Sequence, residues 1–417
     1  MLFELFLKLR NFLRGWRPHK EVNTRLAVWN VFSDPSKELK IVGVTGTNGK
    51  TTTTTLLYRI AIALGYKAGL IGTVENIIDG ERLPTNFTTP EPAELQRLLN
   101  RMVDAGCQFV FMEVSSHGMD QNRVAGITFY GGVFTNLTHD HLDYHKNFEN
   151  YFNAKKKFFK MLSPHAFALS NADDPYGKRI MEGIKAHKYL YGFENVADFM
   201  GQINRLDFSG LEIKAGKDVL RSKLLGKFNA YNILAVWSAC KLLGFNMGKV
   251  KKILEDVMPP RGRFEHFTSE SGVLVVVDYA HTPDALEKII TAVQEVKAKD
   301  GRLITIFGCG GDRDPLKRPK MGKIGASMSD VAILTSDNPR SEAPEEIIED
   351  MTTGLSQDDL KRVTIVTNRR EAIAEGVKRA KTGDIILVAG KGHETYQDVK
   401  GVKSHFDDLE ELQQAFQ

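Results

Sequence analysis

The sequence predicts an α/β protein: a P-loop central domain with a mostly parallel sheet, followed by a C-terminal Rossmann-like α/β domain. Three observations lead there. From Leu39 onward, short β-branched runs alternate with helical patterns, as in βαβ units. A glycine-rich segment joins the first strand to the first helix. After Pro259 and Pro260 the alternation begins afresh, which places a hinge between two doubly wound halves.

In chain order, strand Ile41–Val44 leads to a helix through Leu56–Leu64, then strands Phe109–Met112 and Val133–Phe134. The stretch Tyr189–Leu225, with Gly201, Gly210 and Gly216 as turn signals, reads as an antiparallel insertion or edge, and a helix spans about Asn229–Leu243. Beyond the hinge come strand Val273–Asp278, a helix from Pro283, strands Leu303–Phe307 and Val331–Thr335, a helix from Pro344, and strands Val363–Val366 and Ile385–Val388. The expected domains are 1–38, 39–259 and 260–417.

Composition narrows the class. The 417 residues are 42% hydrophobic and 26% charged, which indicates neither disorder nor a fibrous chain. A net charge of +4 argues against nucleic acid as a partner. Cys107, Cys240 and Cys309 lie too far apart for a disulfide framework or a C-x-x-C metal pair, which fits a reducing, cytoplasmic compartment. No apolar run approaches the roughly 20 residues that span a bilayer.

The first 17 residues form a separate pattern. Leu2, Leu5, Phe6, Leu9, Phe12, Leu13 and Trp16 recur at helical spacing, opposite Lys8, Arg10, Arg14 and Arg17. This basic amphipathic helix is expected to pack on the body of the protein or on a partner. The alternative is weak peripheral attachment to an anionic membrane, worth about 1 kcal/mol per basic residue.

The chemistry-bearing segment is Thr45-Gly46-Thr47-Asn48-Gly49-Lys50-Thr51-Thr52. Its glycines let backbone N–H groups face phosphates, the following helix adds a positive dipole end, Lys50 can reach the terminal phosphates, and Thr51 offers a hydroxyl to Mg²⁺. Val44 stands where the general pattern has its first glycine, so only the second half of that pattern is present.

The form Gly46-Thr47-Asn48-Gly49-Lys50-Thr51-Thr52 also resembles the phosphate loop of the Mur ligase family, which builds the peptide of bacterial cell-wall precursors. Three further segments strengthen the resemblance: Met112–Gly118, Phe134–His145 and Gly390–Glu394. They are most similar to the family's tripeptide synthetases, which add the third amino acid. The resemblance covers about residues 39–417. It implies an ATP-dependent, Mg²⁺-requiring ligase that forms an amide bond through an acyl phosphate.

Carried over position by position, the resemblance assigns Thr51 and Glu113 to one Mg²⁺, and Glu113 with His141 to a second. Lys155 matches the lysine that is carbamylated in the family; an ammonium beside Mg²⁺ would repel it, whereas a carbamate is an anionic oxygen ligand. Asn229 and Asn232 fall at the adenine side, Arg263 at the ATP-contacting hinge arginine, and Asp278 at the ribose acid, with His281 nearby. Thr88, Thr89, Ser115, Gln121 and Arg123 match the muramoyl-dipeptide contacts.

Arg313, Asp337, Asn338, Arg340, Gly390 and Glu394 fall where the family reads its incoming amino acid. Asp337-Asn338-Pro339-Arg340 resembles the form found with meso-diaminopimelate. That substrate has a distal carboxylate for a guanidinium and a distal ammonium for Glu394. L-Lysine is the alternative amino acid. Only about 40 residues precede the phosphate loop, too few for the family's uridine-binding domain. A less extensively held UDP-linked acceptor is therefore expected first, then one completed by a partner, then a lipid-linked one. A non-catalytic scaffold and a polymer-extending ligase, folate- or cyanophycin-type, are the remaining readings.

Overall fold

The computed structural model describes residues 34–417 apart from positions 86, 139 and 208. The amphipathic pattern of residues 1–17 lies outside the described residues.

Two sheets organise the chain. The first has eleven strands among the described residues, in the order β11-β10-β9-β8-β7-β6-β1-β5-β2-β3-β4. Its parallel centre consists of β1 (Lys40–Thr45), β2 (Ala68–Ile71), β5 (Phe109–Glu113), β6 (Gly131–Phe134), β7 (Phe167–Asn171) and β8 (His187–Gly192). One edge carries the short antiparallel β3 (Asn76–Ile78) and β4 (Glu81–Leu83). The other is extended by β9 (Phe199–Asp207), β10 (Gly210–Ala215) and β11 (Asp218–Ser222), antiparallel to one another. β8 itself pairs parallel to β9, so the antiparallel region begins later than the sequence pattern placed it.

The central strands are buried on both faces because their side chains alternate between two cores. In β5, Phe109 and Phe111 enter one core with Val42, Leu56 and Ile233, while Val110 and Met112 enter the other with Ile41, Phe134 and Phe158. The first helix, Lys50–Ala63, begins at the phosphate loop, six residues earlier than the hydrophobic pattern alone marks it.

The second sheet runs β12-β13-β17-β14-β15-β16. β13 (Leu274–Asp278), β14 (Leu303–Phe307), β15 (Val331–Leu334), β16 (Val363–Ile365) and β17 (Ile385–Ala389) are parallel; β12 (Glu265–Thr268) adds an antiparallel edge that the sequence reading missed. It also missed helices Lys317–Met328 and Asp408–Ala415 and the hairpin of β18 (Tyr396–Val399) and β19 (Val402–His405). In both sheets the segments carrying the candidate residues leave the carboxyl ends of parallel strands, where open α/β sheets place their ligands.

Candidate active site

The phosphate loop is built by close approach of backbone to side chain. Gly46 has φ +153°, and a Cβ there would stand 1.9 Å from Thr135 Oγ1; Gly49 has φ +84°, and its Cβ would stand 2.4 Å from Asn232 Oδ1. The segment after β6 clamps the loop: Asn136 Oδ1 accepts from Asn48 N at 2.9 Å, and Thr135 Oγ1 donates to Asn48 O at 2.6 Å. Gly49 caps the helix without any side-chain hydrogen bond, and Thr51 and Thr52 are buried in its first turn. Lys50 donates back to Gly46 O and Thr47 O, at 3.0 and 2.8 Å. Burial pushes its ammonium pKa down, against the pull of Glu113 and Asp140.

Glu113 ends β5 with 1% exposure. Thr51 Oγ1 donates to its Oε2 at 3.1 Å. Thr73, just beyond β2, donates to it twice, from N to Oε1 at 2.9 Å and from Oγ1 to Oε2 at 3.1 Å. Thr73 was missed in the sequence; its place after a parallel strand was the available signal. Thr73 also meets Thr88, Oγ1 to Oγ1 at 3.0 Å. Thr89 Oγ1 donates to Glu113 O at 2.9 Å and meets Ser115 Oγ at 3.1 Å; Arg123 donates to Thr89 O at 2.8 Å and to Gln121 Oε1. Thr88, Thr89, Ser115, Gln121 and Arg123 therefore form one network beside Glu113.

Tyr151 is the other hub. Its hydroxyl meets Thr47 Oγ1 at 3.0 Å, Lys155 Nζ lies 4.5 Å from its ring centre, and the His141 ring lies 6.2 Å away. His141 is exposed at φ +52°, with its ring edge-on to His117 at 4.8 Å. Lys155 is fully buried and donates to Gly46 O at 2.8 Å; burial first, then Lys50, holds its ammonium pKa well below the ordinary range.

At the hinge, Arg263 lies over the Tyr279 ring at 5.3 Å, and its Nε is buried with no hydrogen-bond partner among the described residues. Asp278 accepts from Phe264 N at 2.8 Å; burial lifts its carboxyl to about 6 while Arg263 opposes the rise. His281 Nδ1 is 2.7 Å from Tyr279 O. Asn229 donates to Leu225 O, and Asn232 donates to Asn229 Oδ1, so this buried pair is held beside Gly49.

A second cluster lies at the carboxyl end of the second sheet. Asn338 donates to Glu394 Oε2 at 2.8 Å, and Gly390, at φ +120°, leaves room for Asp337, whose Oδ2 would stand 2.5 Å from a Cβ there. Burial and then Asp337 raise the Glu394 pKa. Arg340 takes φ +52° and donates to Gly311 O at 2.6 Å; Arg313 lies on an exposed turn and donates to Asp312 O. Lys288 links the halves by donating to Thr138 Oγ1 at 2.9 Å.

The residues present fit a magnesium nucleotide. Thr51, Thr73 and Glu113 offer hard oxygens, the donor type Mg²⁺ prefers, and a carboxylate or two with phosphate and water suffices for it. Among the described residues no group of three or more His, Cys, Asp or Glu could hold a metal by itself. The glycine cradle and the orphaned Arg263 Nε suit a phosphate chain.

Comparison with known proteins shows the family. Residues 44–240 match the Mur ligase middle domain, and residues 262–392 match the Mur ligase glutamate ligase domain. The chain is 50% identical, over 94% of its length and 80% of the relative's, to the UDP-N-acetylmuramoyl-L-alanyl-D-glutamate–2,6-diaminopimelate ligase of Parabacteroides distasonis. It is 49% identical, with the same coverage, to the enzyme of that name from Bacteroides fragilis. A solved structure of a ligase with that name superimposes with TM-score 0.69 at 34% identity, covering 94% of this chain and 80% of the other. A folylpolyglutamate synthase from Thermotoga maritima shares the fold, with TM-score 0.68 at 14% identity and 94% of each chain covered. No helix among the described residues is long and apolar enough to cross a membrane.

Proposed function

The chain belongs to the Mur ligase family and is a ligase, and we propose that it joins meso-diaminopimelate to the D-glutamate carboxylate of UDP-N-acetylmuramoyl-L-alanyl-D-glutamate, using ATP. The observation that carries this reading is the second cluster. Buried Asp337 and half-buried Glu394 gather two acids at the carboxyl end of the second sheet, and Arg340 lies three residues along from Asp337 on the same segment, so both charge signs are at hand for a distal amino-acid centre.

Each group then has a task. Lys50 and Arg263 offset charge on the γ-phosphoryl group as it passes to the acceptor carboxylate to give an acyl phosphate. Thr51, Glu113, His141 and a carbamylated Lys155 would hold Mg²⁺, which supplies charge neutralisation and polarises phosphoryl oxygens. Burial, and then Lys50, lowers the pKa of Lys155, and since the free amine is the form that reacts with CO₂, this favours the carbamate. Thr88, Thr89, Ser115, Gln121 and Arg123 hold the acceptor. Asp337, Asn338, Arg340, Gly390 and Glu394 hold the amino acid, with Arg313 reaching in from its exposed turn. Asn229, Asn232, Asp278 and the loop Gly46–Thr52 hold the nucleotide. The amine then attacks the acyl carbonyl and phosphate leaves. Closing the second domain over the first excludes the water that would hydrolyse the intermediate.

The test is phosphate release from ATP with Mg²⁺ and this acceptor, in parallel with meso-diaminopimelate, L-lysine and no amino acid. Release only with diaminopimelate is expected. Equal release with lysine overturns the assignment of Arg340, and no release with either overturns the acceptor.

A further inference from the structure

Beneath the amino-acid pocket lies a lysine to which neither the family's motif nor the mechanism above gives a task. Lys391 has no exposed surface, although an unpaired ammonium is among the most costly groups to bury. Gly390 and Gly392, at φ +120° and +52°, let the chain turn tightly on either side of it; a Cβ on Gly392 would stand 2.6 Å from Tyr279 Cβ. The ammonium donates to Asn338 Oδ1 at 2.9 Å, and lies 3.5 Å from Glu394 Oε2 and 3.9 Å from Asp337 Oδ1. Asn338 Oδ1 also accepts from Asp398 N at 2.9 Å, so its amide is turned with Nδ2 toward Glu394.

The charges around this ammonium leave a definite imbalance. Arg369, equally buried, is closed off by a two-pronged bond to Asp408, at 2.7 and 2.8 Å, so that pair is neutral. Tyr396 presents its ring at 5.7 Å, and Tyr279 faces Glu394 and Asp337 from the end of β13, with Arg263 and His281 behind it. Arg340 turns its guanidinium to Gly311 O and is left for the distal carboxylate, so the two acids share one internal ammonium, which leaves room for one more positive charge.

We propose that Lys391 is a positioning residue for amino-acid selection: its buried ammonium balances the charge of the Asp337 and Glu394 side chains and orients Asn338, so that the pocket accepts the single distal ammonium of the substrate. This rests on the reading that the pocket receives the incoming amino acid. Without Lys391 the two carboxylates repel one another and retain a proton. Substrate must then displace that proton, and binding becomes pH-dependent.

The experiment compares wild type, Lys391→Met and the double variant Lys391→Met/Asp337→Asn, which restores the charge balance. Lys391→Met is expected to raise KM for diaminopimelate about tenfold at neutral pH, the equivalent of one lost charged contact, with KM for ATP unchanged and KM for diaminopimelate falling as pH rises. Its Tm should fall more steeply than that of wild type between about pH 5 and 8, because acids with raised pKa lose native-state protons there. The double variant should recover the wild-type Tm profile. Equal pH profiles for wild type and Lys391→Met overturn the proposal, as does a parallel change in every kinetic constant that the double variant does not relieve. If Lys391→Met does not fold, a cooperative melt of the double variant supports charge balance and its absence overturns it. Melting needs no substrate, so inactivity of wild type toward diaminopimelate would count against the proposed function and leave the melting comparison decisive for Lys391.

Discussion

Lys155 Nζ donates to the carbonyl oxygen of Gly46 at 2.8 Å, which ties a helix far along the chain to the phosphate loop. Lys50 uses the same carbonyl, so two lysine amino groups crowd one acceptor. If a carbamate relieves that crowding, Lys155→Ala should lower kcat at least about 100-fold, in the range of lost electrostatic stabilisation at a transition state. Wild type stripped of CO₂ should lose activity and regain it on adding bicarbonate, and Lys155→Ala should not respond. Full activity of CO₂-free wild type would refute the role.

Glu113 accepts from Thr51 and twice from Thr73. Glu113→Gln should cost about 100- to 1000-fold in kcat, with a raised Mg²⁺ requirement. Thr73→Val removes only the hydroxyl, and about tenfold is expected from one hydrogen bond to a charged group. A magnesium titration of both variants checks the order.

Gly46→Ala would drive a methyl group into Thr135 Oγ1 at a backbone angle that L-residues avoid. A loss of about 2–4 kcal/mol is expected in denaturant unfolding of the first domain, together with loss of ATP binding. Gly65→Ala is the comparison: its φ is +91°, but a Cβ there meets nothing within 4 Å. It should show the smaller cost of backbone strain alone.

Asp278 titrates near 6 because burial lifts it, while the unfolded carboxyl titrates near 4. A raised acid binds more protons in the folded state, so stability is lost as pH rises from about 4 to about 6 and does not change further above that. Asp278→Asn should remove that slope. Melting curves of both proteins across this window measure it, and parallel curves would exclude the effect.

Arg340 is held at a positive φ by the hairpin: Arg340 N donates to Asp398 O at 3.0 Å, and Lys400 N donates to Arg340 O. Arg340→Lys keeps the charge and loses the planar fork. KM for diaminopimelate should rise about tenfold or more, since a charged two-pronged contact is worth roughly 1.5–3 kcal/mol. A lowered Tm of Arg340→Lys would instead point to a folding defect.

Much of the fold was legible because strand runs such as Val273–Asp278 and Leu303–Phe307 carry dense apolar signals. Short edges were not: β12 and the β18–β19 hairpin are half-exposed or exposed, and their residues show no strong alternation. The helix start at Lys50 was readable from the phosphate loop and not from hydrophobicity, since five threonines open it. Among site residues, those in glycine-rich or charged motifs stood out, whereas Thr73 and Tyr151 are residue types found anywhere on a surface.

By itself the sequence determined the α/β class, the phosphate loop and the family's ordered motifs, because these depend on local spacing and on backbone freedom at particular glycines. Only the tertiary structure decided which of those segments meet. Lys391 lies in a motif beside Glu394, yet its partners Asp337 and Asn338 stand more than fifty residues earlier, and its charge has meaning only where burial removes water from all of them. The sharing of Gly46 by Lys50 and Lys155 is of the same kind: electrostatics at 3 Å in a low-dielectric interior follows folded distance, which sequence spacing does not carry.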